Sequence, residues 1–197
     1  MTRSRALGLV AVCVATLALG WAVYRWMPRR PPAASSVSGG APSSPAAVVQ
    51  DGRKIKARLF YVSDDGTRLT SVEREVPYAD PTESQARRIL DAQFAPVSAP
   101  LVSAIPVGTA VRAVFLTPQG TAFVDLSPEI AAQHPGGSLN ELLTVYTIVQ
   151  ALTTNLPAVT SVQVLVDGKE VDTLAGHLDM KHPLPRADEW VAESPTR

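Results

Sequence analysis

Apolar and polar residues alternate with a period of two in several short stretches after residue 53, and this alternation predicts β-strands. Turn residues separate the stretches: Asp64-Asp65-Gly66 and Pro118-Gln119-Gly120 each lie between two of them and mark hairpins. Asp167-Gly168 marks another turn. The predicted strands are 54–62, 68–76, 111–117, 121–127, 161–168 and 169–174.

Two stretches have a period of three to four and predict helices. The first is 83–94, where Thr82 and Gln85 have the spacing of a capping box. The second begins after a pair of glycines, with Ser138 and Glu141 as a second capping box. Its apolar positions are Leu139, Leu142, Leu143, Tyr146, Val149 and Leu152.

The resulting order, β-β-α-β-β-α-β, predicts an α+β two-layer sandwich, in which a mostly antiparallel sheet carries two helices on one face. We expect the helices to connect neighbouring strands in the manner of a split βαβ unit. This domain is predicted to span residues 54–183. The polar residues 184–197 are predicted to form a flexible tail.

An uncharged run of 19 residues, 6–24, precedes the domain. As a helix it would span about 28 Å, close to the ~30 Å hydrocarbon core of a bilayer. We therefore predict an uncleaved membrane anchor over residues 1–27; a cleaved signal peptide is the alternative, although its apolar region is normally about 7–15 residues. Residues 28–53, rich in Pro, Ser, Ala and Gly, are predicted to be a disordered linker.

Charge and cysteine content narrow the function classes. The chain has 18 basic and 18 acidic residues, but residues 1–50 hold five arginines and no acid, so the remainder is mildly acidic. We expect no nucleic-acid binding, which needs a basic face. Arginines flank both ends of 6–24, so the positive-inside rule gives no orientation. The single cysteine, Cys13, is interpreted as an apolar residue of the anchor, because Val12 and the continuing apolar run do not suit a lipid-bearing cysteine.

Three residues near the C-terminus are candidates for a metal site: His177, Asp179 and His182. Two histidines and a carboxylate could form a three-ligand site with an open position. A polar segment after the last strand explains them more simply. We therefore predict no metal ligands.

Three further residues are candidates for catalysis. Asp125 and Asp167 could form an acid–base pair if the fold brought them together. Ser138, after two glycines, could be a nucleophile near backbone donors, but no GxSxG motif is present. The three residues are explained more simply by their places at a strand end, in a hairpin turn and at a helix N-cap. We therefore predict that the protein has no catalytic residue and no cofactor and is not an enzyme.

Six segments in this order resemble the GerMN domain of the sporulation and spore germination (GerM-like) family. They are LFYVSDDGTRLTSVEREV, ESQARRILDAQF, IPVGTAVRAVFL, GTAFVDLSPEI, SLNELLTVYTIVQALTTNLPAVTSVQVLVDG and LAGHLDMKHPL, within 59–184. The resemblance implies an envelope protein, tethered by a lipid or by one membrane helix, whose domain is similar to ring-building modules. This chain has one copy of the domain and no good lipobox, so a general envelope role fits as well as a sporulation role.

These observations lead to two hypotheses about function. The first is a membrane-tethered, non-enzymatic envelope protein, with its C-terminal domain outside the cytoplasm, whose domain binds envelope proteins or itself through sheet edges or helix faces. The second is an accessory factor that binds peptidoglycan or aids cell-wall processing. The extracytoplasmic location rests on the resemblance alone.

Overall fold

A computed structural model describes residues 52–192 of the 197-residue chain. This range forms seven strands, three α-helices and one 3-10 turn, Asp188–Trp190. The strands are β1 (Lys54–Val62), β2 (Leu69–Pro77), β3 (Val111–Leu116), β4 (Thr121–Leu126), β5 (Ser161–Val166), β6 (Lys169–Glu170) and β7 (Leu184–Pro185). The helices are α1 (Thr82–Phe94), α2 (Glu129–Ala132) and α3 (Ser138–Asn155).

The first hairpin, β1–β2, forms a two-stranded antiparallel sheet of its own. Its register is set at both ends by backbone bonds, from Ser63 N–H to Arg68 O and from Tyr78 N–H to Arg53 O, both 2.9 Å. Hydrogen-bonded pairs alternate along an antiparallel ladder. The odd-numbered residues of β1 therefore bond to β2, and the backbone groups of the even-numbered residues point away from it.

The second sheet has the strand order β3-β4-β5-β6, with β7 paired to β5. Most of its pairs are antiparallel, but β4 and β5 are parallel, because α3 carries the chain back across the sheet between them. The tight turn between β3 and β4 requires Gly120, which has a φ of 88°. A Cβ there would also lie only 2.9 Å from Thr160 Oγ1 and 3.0 Å from Ala158 O.

The structure confirms the predicted α+β class, the two long helices and the hairpins. The prediction of a single sheet is wrong. The strands form two sheets, and α1 connects β2 of one to β3 of the other. Only α3 joins neighbouring strands as expected. Both long helices also pack against strands of both sheets, α1 against β1, β2 and β3 and α3 against β1 and β5, rather than lying on one face of one sheet. The short helix α2 was not predicted.

Helix α3 lies at the centre of the core. Residues 143–152 are all buried, whatever direction their side chains take from the helix axis. A helix buried all round belongs to the interior of a domain rather than its surface. Its polar members, which include Gln150, must therefore find partners inside the protein.

Neither predicted capping box forms. The N-cap of α1 is Pro81 and that of α3 is Gly137, and neither helix start has a side-chain cap. Gln85 instead accepts a hydrogen bond from Ala79 N–H at 2.7 Å. Glu141 turns away from the helix start and binds a distant segment, because buried backbone donors there need an acceptor.

The predicted flexible tail 184–197 is wrong for residues 184–192. These residues form β7 and the 3-10 turn, and Ala192 N–H donates to Leu69 O at 2.7 Å. Apolar side chains, among them Trp190, pack against the core and offset the entropy of ordering this segment. Residues 193–197 lie outside the described range.

The predicted anchor 1–27, with its apolar run 6–24, and nearly all of the predicted linker 28–53 also lie outside the described residues. From residue 52 to residue 192, no helix combines the length and the apolar character needed to span a bilayer.

Candidate interaction surface

The most extensively bonded carboxylate in the described chain is Glu141, in the first turn of α3. Its side chain is fully buried. Its two oxygens accept backbone hydrogen bonds from Leu174 at 2.8 Å and from Ala175 and His177 at 2.9 Å. His177 Nδ1 lies 3.2 Å from the same carboxylate. Glu141 therefore fixes the irregular segment that follows β6 onto the start of α3.

The pKa of Glu141 reflects two opposing effects. Burial raises the pKa, because it penalises the charged form. The backbone N–H groups of Ala175, Leu174, His177 and Leu178 lower it and outweigh burial, so the pKa lies below its ordinary value. The carboxylate is thus held ionised as an anchor, the opposite of what a general acid requires.

The metal-site candidates are not brought together. His177 contacts Glu141, whereas Asp179 Oδ1 accepts a hydrogen bond from Lys181 N–H at 3.0 Å and His182 is exposed. Across residues 52–192, no cluster of three or more His, Cys, Asp or Glu side chains has a geometry that could hold a metal ion.

The two aspartates considered for catalysis do come together, but through an arginine. Arg112 Nε lies 3.4 Å from Asp125 Oδ2, and Arg112 Nη1 bonds to Asp167. The other oxygen of Asp125 accepts the backbone N–H of Gly168 at 2.7 Å. Asp167 begins the β5–β6 turn with a φ of 53°, as the sequence predicted for a hairpin. These contacts fasten the turn to the sheet and leave neither carboxylate unpaired.

The third catalytic candidate, Ser138, is the exposed first residue of α3. The histidine nearest to it in sequence, His134, bonds instead to the backbone N–H of Gly136 at 3.0 Å and lies 3.2 Å from Thr144 Oγ1. These contacts do not join His134 to Ser138.

The outer edge of β1 is closed by side-chain amides rather than by another strand. Gln93 accepts the backbone N–H of Phe60 at 2.8 Å and donates to its C=O at 2.7 Å. Asn155 does the same for Arg58, at 2.8 and 2.7 Å. One step further, Val62 pairs with Val102. An unpaired edge is a template for foreign strands, and this edge is occupied at three successive outward positions.

The outer edge of β2 is protected differently. Its first residue, Leu69, is bonded to Ala192 at the C-terminal end of the described chain. Further along, Glu73 and Glu75 are exposed, and Pro77 ends the strand. Charged and proline residues on an edge discourage pairing with another chain.

The second sheet has one face that is only partly covered. Along β4, Ala122, Val124 and Leu126 point to the core, so Phe123 points outward. Phe115 lies directly opposite Phe123 in the ladder, on the same outer face, and is 60% exposed. We call Phe115 and Phe123 the outer aromatic pair.

The same face is closed over β5. Gln163, the register partner of Phe123, is buried and donates to Met180 O at 2.7 Å. The segment around Met180 thus covers the β5 part of the outer face and leaves β3 uncovered. On β3, the backbone groups of Val114 and Leu116 point away from β4 and make no hydrogen bond with any residue of the 52–192 range.

Sequence reasoning missed the outer aromatic pair for a definite reason. The segment VRAVFL has apolar residues on both of its faces, at odd-numbered and at even-numbered positions. The pattern therefore does not show which face packs on the core. The signal that could have identified Phe115 was its cross-strand partner, once the turn at Gly120 fixed the register.

Comparisons with known proteins agree with this architecture. The model of the Germane family, described as "Sporulation and spore germination", matches residues 58–172. No curated protein matches the chain.

Three solved structures are similar to the chain. A candidate lipoprotein from Clostridium perfringens is 22% identical with a TM-score of 0.50, over 68% of this chain and 89% of that one. The tandem GerMN domains of the sporulation protein GerM from Bacillus subtilis are 16% identical with a TM-score of 0.49, over 69% of this chain and 45% of that one. The first GerMN domain of the same protein is 19% identical with a TM-score of 0.47, over 68% and 95%. At these identities the first structure supports the fold alone.

Proposed function

Because the chain belongs to the sporulation and spore germination family, as its resemblance to the GerMN domain predicted, we propose that it is a non-enzymatic envelope protein whose domain mediates protein–protein interaction or assembly. We further propose that it is tethered to the membrane by residues 6–24, with the domain outside the cytoplasm. The role would be in sporulation, germination or cell-wall processes.

The observation that carries the proposal is the outer aromatic pair. A phenylalanine on the edge strand β3 that is 60% exposed, beside a second aromatic ring on β4, presents apolar area that water solvates poorly. Aromatic residues are also enriched at protein interfaces, where they act as anchors. Covering Phe115 with a partner would remove this exposed area from water.

The acidic residues support a non-enzymatic role. Glu141 and Asp125, the two buried carboxylates of the described domain, are both occupied by backbone N–H groups. A carboxylate that anchors a loop or a turn is not available to transfer protons to a substrate.

The proposed tether is supported by the uncharged run 6–24, and the extracytoplasmic location by the resemblance to the GerMN domain. The similar protein from Clostridium perfringens is described as a candidate lipoprotein. A topology reporter fused after Arg197 tests this part of the proposal, and activity of a cytoplasmic reporter would contradict it.

The decisive experiment is a cross-linking pull-down of the full chain from its native envelope, with Phe115→Ser compared with Val107→Ser. Val107 is 91% exposed and lies in a loop, so it is a matched change of an exposed apolar residue away from the sheet face. We expect Phe115→Ser to lose the captured partners while Val107→Ser keeps them, and both variants to unfold as the wild type does. Equal capture by both would contradict the proposed surface. Cosedimentation with purified peptidoglycan, unaffected by Phe115→Ser, would favour the cell-wall hypothesis instead.

A further inference from the structure

The free edge of β3 has a hydrogen-bonding pattern that is complementary to itself. Val114 and Leu116 both point their backbone N–H and C=O away from β4, and these groups have no partner within 52–192. Phe115 lies between them with its ring 60% exposed. An antiparallel strand fits such an edge when its own free groups recur at the same two-residue spacing. A second β3 strand, related to the first by a two-fold axis through Phe115, has this spacing.

The register centred on Phe115 uses the free groups of both strands. Val114 of one copy then lies opposite Leu116 of the other, and both residues point their backbone groups toward each other. The two members of such a pair exchange N–H···O=C bonds in both directions. The two-fold axis repeats the pair on the other side of Phe115, as in any isologous interface. The backbone groups that the single chain leaves unpaired therefore satisfy one another.

The ends of this ladder fit as well. The next outward position of the register places Arg112 opposite Pro118. The C=O of Arg112 already accepts a hydrogen bond from Arg87 Nη1 at 3.2 Å, and Pro118 has no N–H to offer. The pairing thus stops at a carbonyl that needs no donor from the second copy, opposite a residue that has none.

The side chains that this register brings together are apolar. Phe115 of each copy would lie opposite the other on the outer face, in a non-hydrogen-bonded pair, where side chains approach most closely. On the other face, the half-buried side chains of Val114 and Leu116 would lie side by side. Aromatic and β-branched cross-strand pairs stabilise a sheet, whereas like charges directly opposite each other destabilise it. Residues 113–117 carry no charge, unlike the edge of β2 with its exposed glutamates.

We propose that the β3 edge pairs with the β3 edge of a second copy of the chain, antiparallel about Phe115, so that their second sheets join into one continuous sheet. This names the partner of the outer aromatic pair and rests on the proposed assembly function. The occupant follows from the match of the unpaired groups: the backbone bonds and the ring contact are gained on pairing and are absent in the single copy. Holding both copies on one membrane, as proposed, raises their effective concentration.

Cysteine cross-linking between copies tests the register. Ala113 and Thr117 lie opposite each other in it, and both point to the outer face with Phe115. Within one chain they are about 13 Å apart at ~3.3 Å per residue, too far for a disulfide, which needs Cα atoms within about 7 Å. In a Cys13→Ser background, two differently tagged full-length chains, Ala113→Cys and Thr117→Cys, are co-expressed in native membranes and oxidised. We expect a cross-linked heterodimer.

The matched controls are the same two variants, each co-expressed with itself under two tags. The cysteine and its exposure are unchanged, but in the proposed register two copies of residue 113, or of residue 117, lie about 13 Å apart. We expect the mixed pair to cross-link about tenfold more than either self pair. Equal yields would mean chance collision or a different register and would overturn the proposal.

A proline substitution tests the backbone bonds. The N–H of Leu116 points away from β4, so Leu116→Pro keeps the β3–β4 ladder and removes only the donor to the second copy. Leu116→Ala also removes the leucine side chain but keeps this N–H. In the cysteine background, we expect Leu116→Pro to cross-link about tenfold less than Leu116→Ala. Equal yields from two variants that urea unfolding shows to be folded would overturn the pairing. If Leu116→Pro does not fold, the mixed pair against the self pairs decides.

The failure of self-pairing is distinguishable from the failure of the proposed function. Envelope proteins captured through Phe115 without a 113–117 cross-link between copies would refute self-pairing and leave assembly standing. A cross-link from Ala113→Cys to a different protein alone would likewise give the β3 edge to another partner. Loss of all capture and of the cross-link, with Phe115 in place, would refute both.

Discussion

Replacing Glu141 with glutamine changes one oxygen of a fully buried carboxylate into an amide nitrogen and removes its charge. One oxygen of Glu141 accepts the backbone N–H groups of Leu174 and Ala175, and the other accepts that of His177. A glutamine retains one acceptor oxygen. Its NH₂ group would then face the donor of His177, so that two donors oppose each other.

The cost can be estimated from these contacts. A buried donor left without an acceptor costs about 1–3 kcal/mol. A hydrogen bond to a charged acceptor is also roughly twice as strong as one to a neutral acceptor. We therefore expect Glu141→Gln to lower the free energy of unfolding by about 2–4 kcal/mol. This is a large part of the ~5–15 kcal/mol that stabilises a typical domain.

The effect should depend on pH with a defined sign. The folded-state pKa of Glu141 lies below its ordinary value of 4.5, so its stabilisation is fully present above that value and is lost as the pH falls through the folded-state pKa. The difference between wild type and Glu141→Gln should therefore be greatest near pH 7 and shrink in acid.

Urea unfolding near pH 7 and near pH 3, with hydrogen exchange of residues 174–177, measures both effects. The matched control is Glu170→Gln, the same chemical change at an exposed residue of β6, which should be close to neutral. A Glu141→Gln variant as stable as this control, with its loop amides still protected, would refute the anchoring role.

Three further predictions follow from local geometry. Gly120→Ala should lower the free energy of unfolding in urea by about 1–3 kcal/mol, more than Gly66→Ala does. Both glycines have a positive φ, but only at Gly120 would the added Cβ collide with neighbouring atoms. Equal losses of stability in the two variants would contradict this. Gln93→Leu should lower the free energy of unfolding by about 2–4 kcal/mol in the same assay, because it leaves the N–H and C=O of Phe60 unpaired. An unchanged stability would show that water replaces the amide. NMR titration should give Asp65 a pKa of about 2, because a serine hydroxyl and a backbone N–H bind its carboxylate. The contribution of Asp65 to stability is then lost as the pH falls through that value. A pKa at the ordinary value of an aspartate would contradict the turn geometry.

Local patterns carried most of the information about strands and turns. Alternation over six to nine residues, together with the turn residues at Gly66, Gly120 and Gly168, was enough to predict three hairpins. What the pattern does not contain is which hairpins pair with each other. The separation into two sheets depends on α3 packing between β1 and β5, a contact between residues far apart in sequence.

Polar residues were the main source of error, because their partners are equally distant in sequence. Glu141 looked like half of a capping box, yet its bonds reach more than thirty residues along the chain. Residues 184–192 looked disordered from their overall polarity, although Trp190 and Val191 were available to pack on the core. Average composition conceals a few well-placed apolar residues, and a docked segment needs no more than that.

The different treatment of the strand edges bears on function. On the outer edge of β1, the side-chain amides of Gln93 and Asn155 make the backbone hydrogen bonds that a neighbouring strand would make. The outer edge of β2 carries exposed charged residues. Both arrangements discourage pairing with another chain, and the first also requires polar groups in the core. On β3 the C=O of Arg112 accepts a hydrogen bond from Arg87 at 3.2 Å. The outward backbone groups of Val114 and Leu116 have no partner from 52–192, and the ring of Phe115 between them is exposed. Since the fold protects both edges of the first sheet and leaves part of the β3 edge unpaired beside an exposed aromatic ring, we infer that the β3 side is available for a partner.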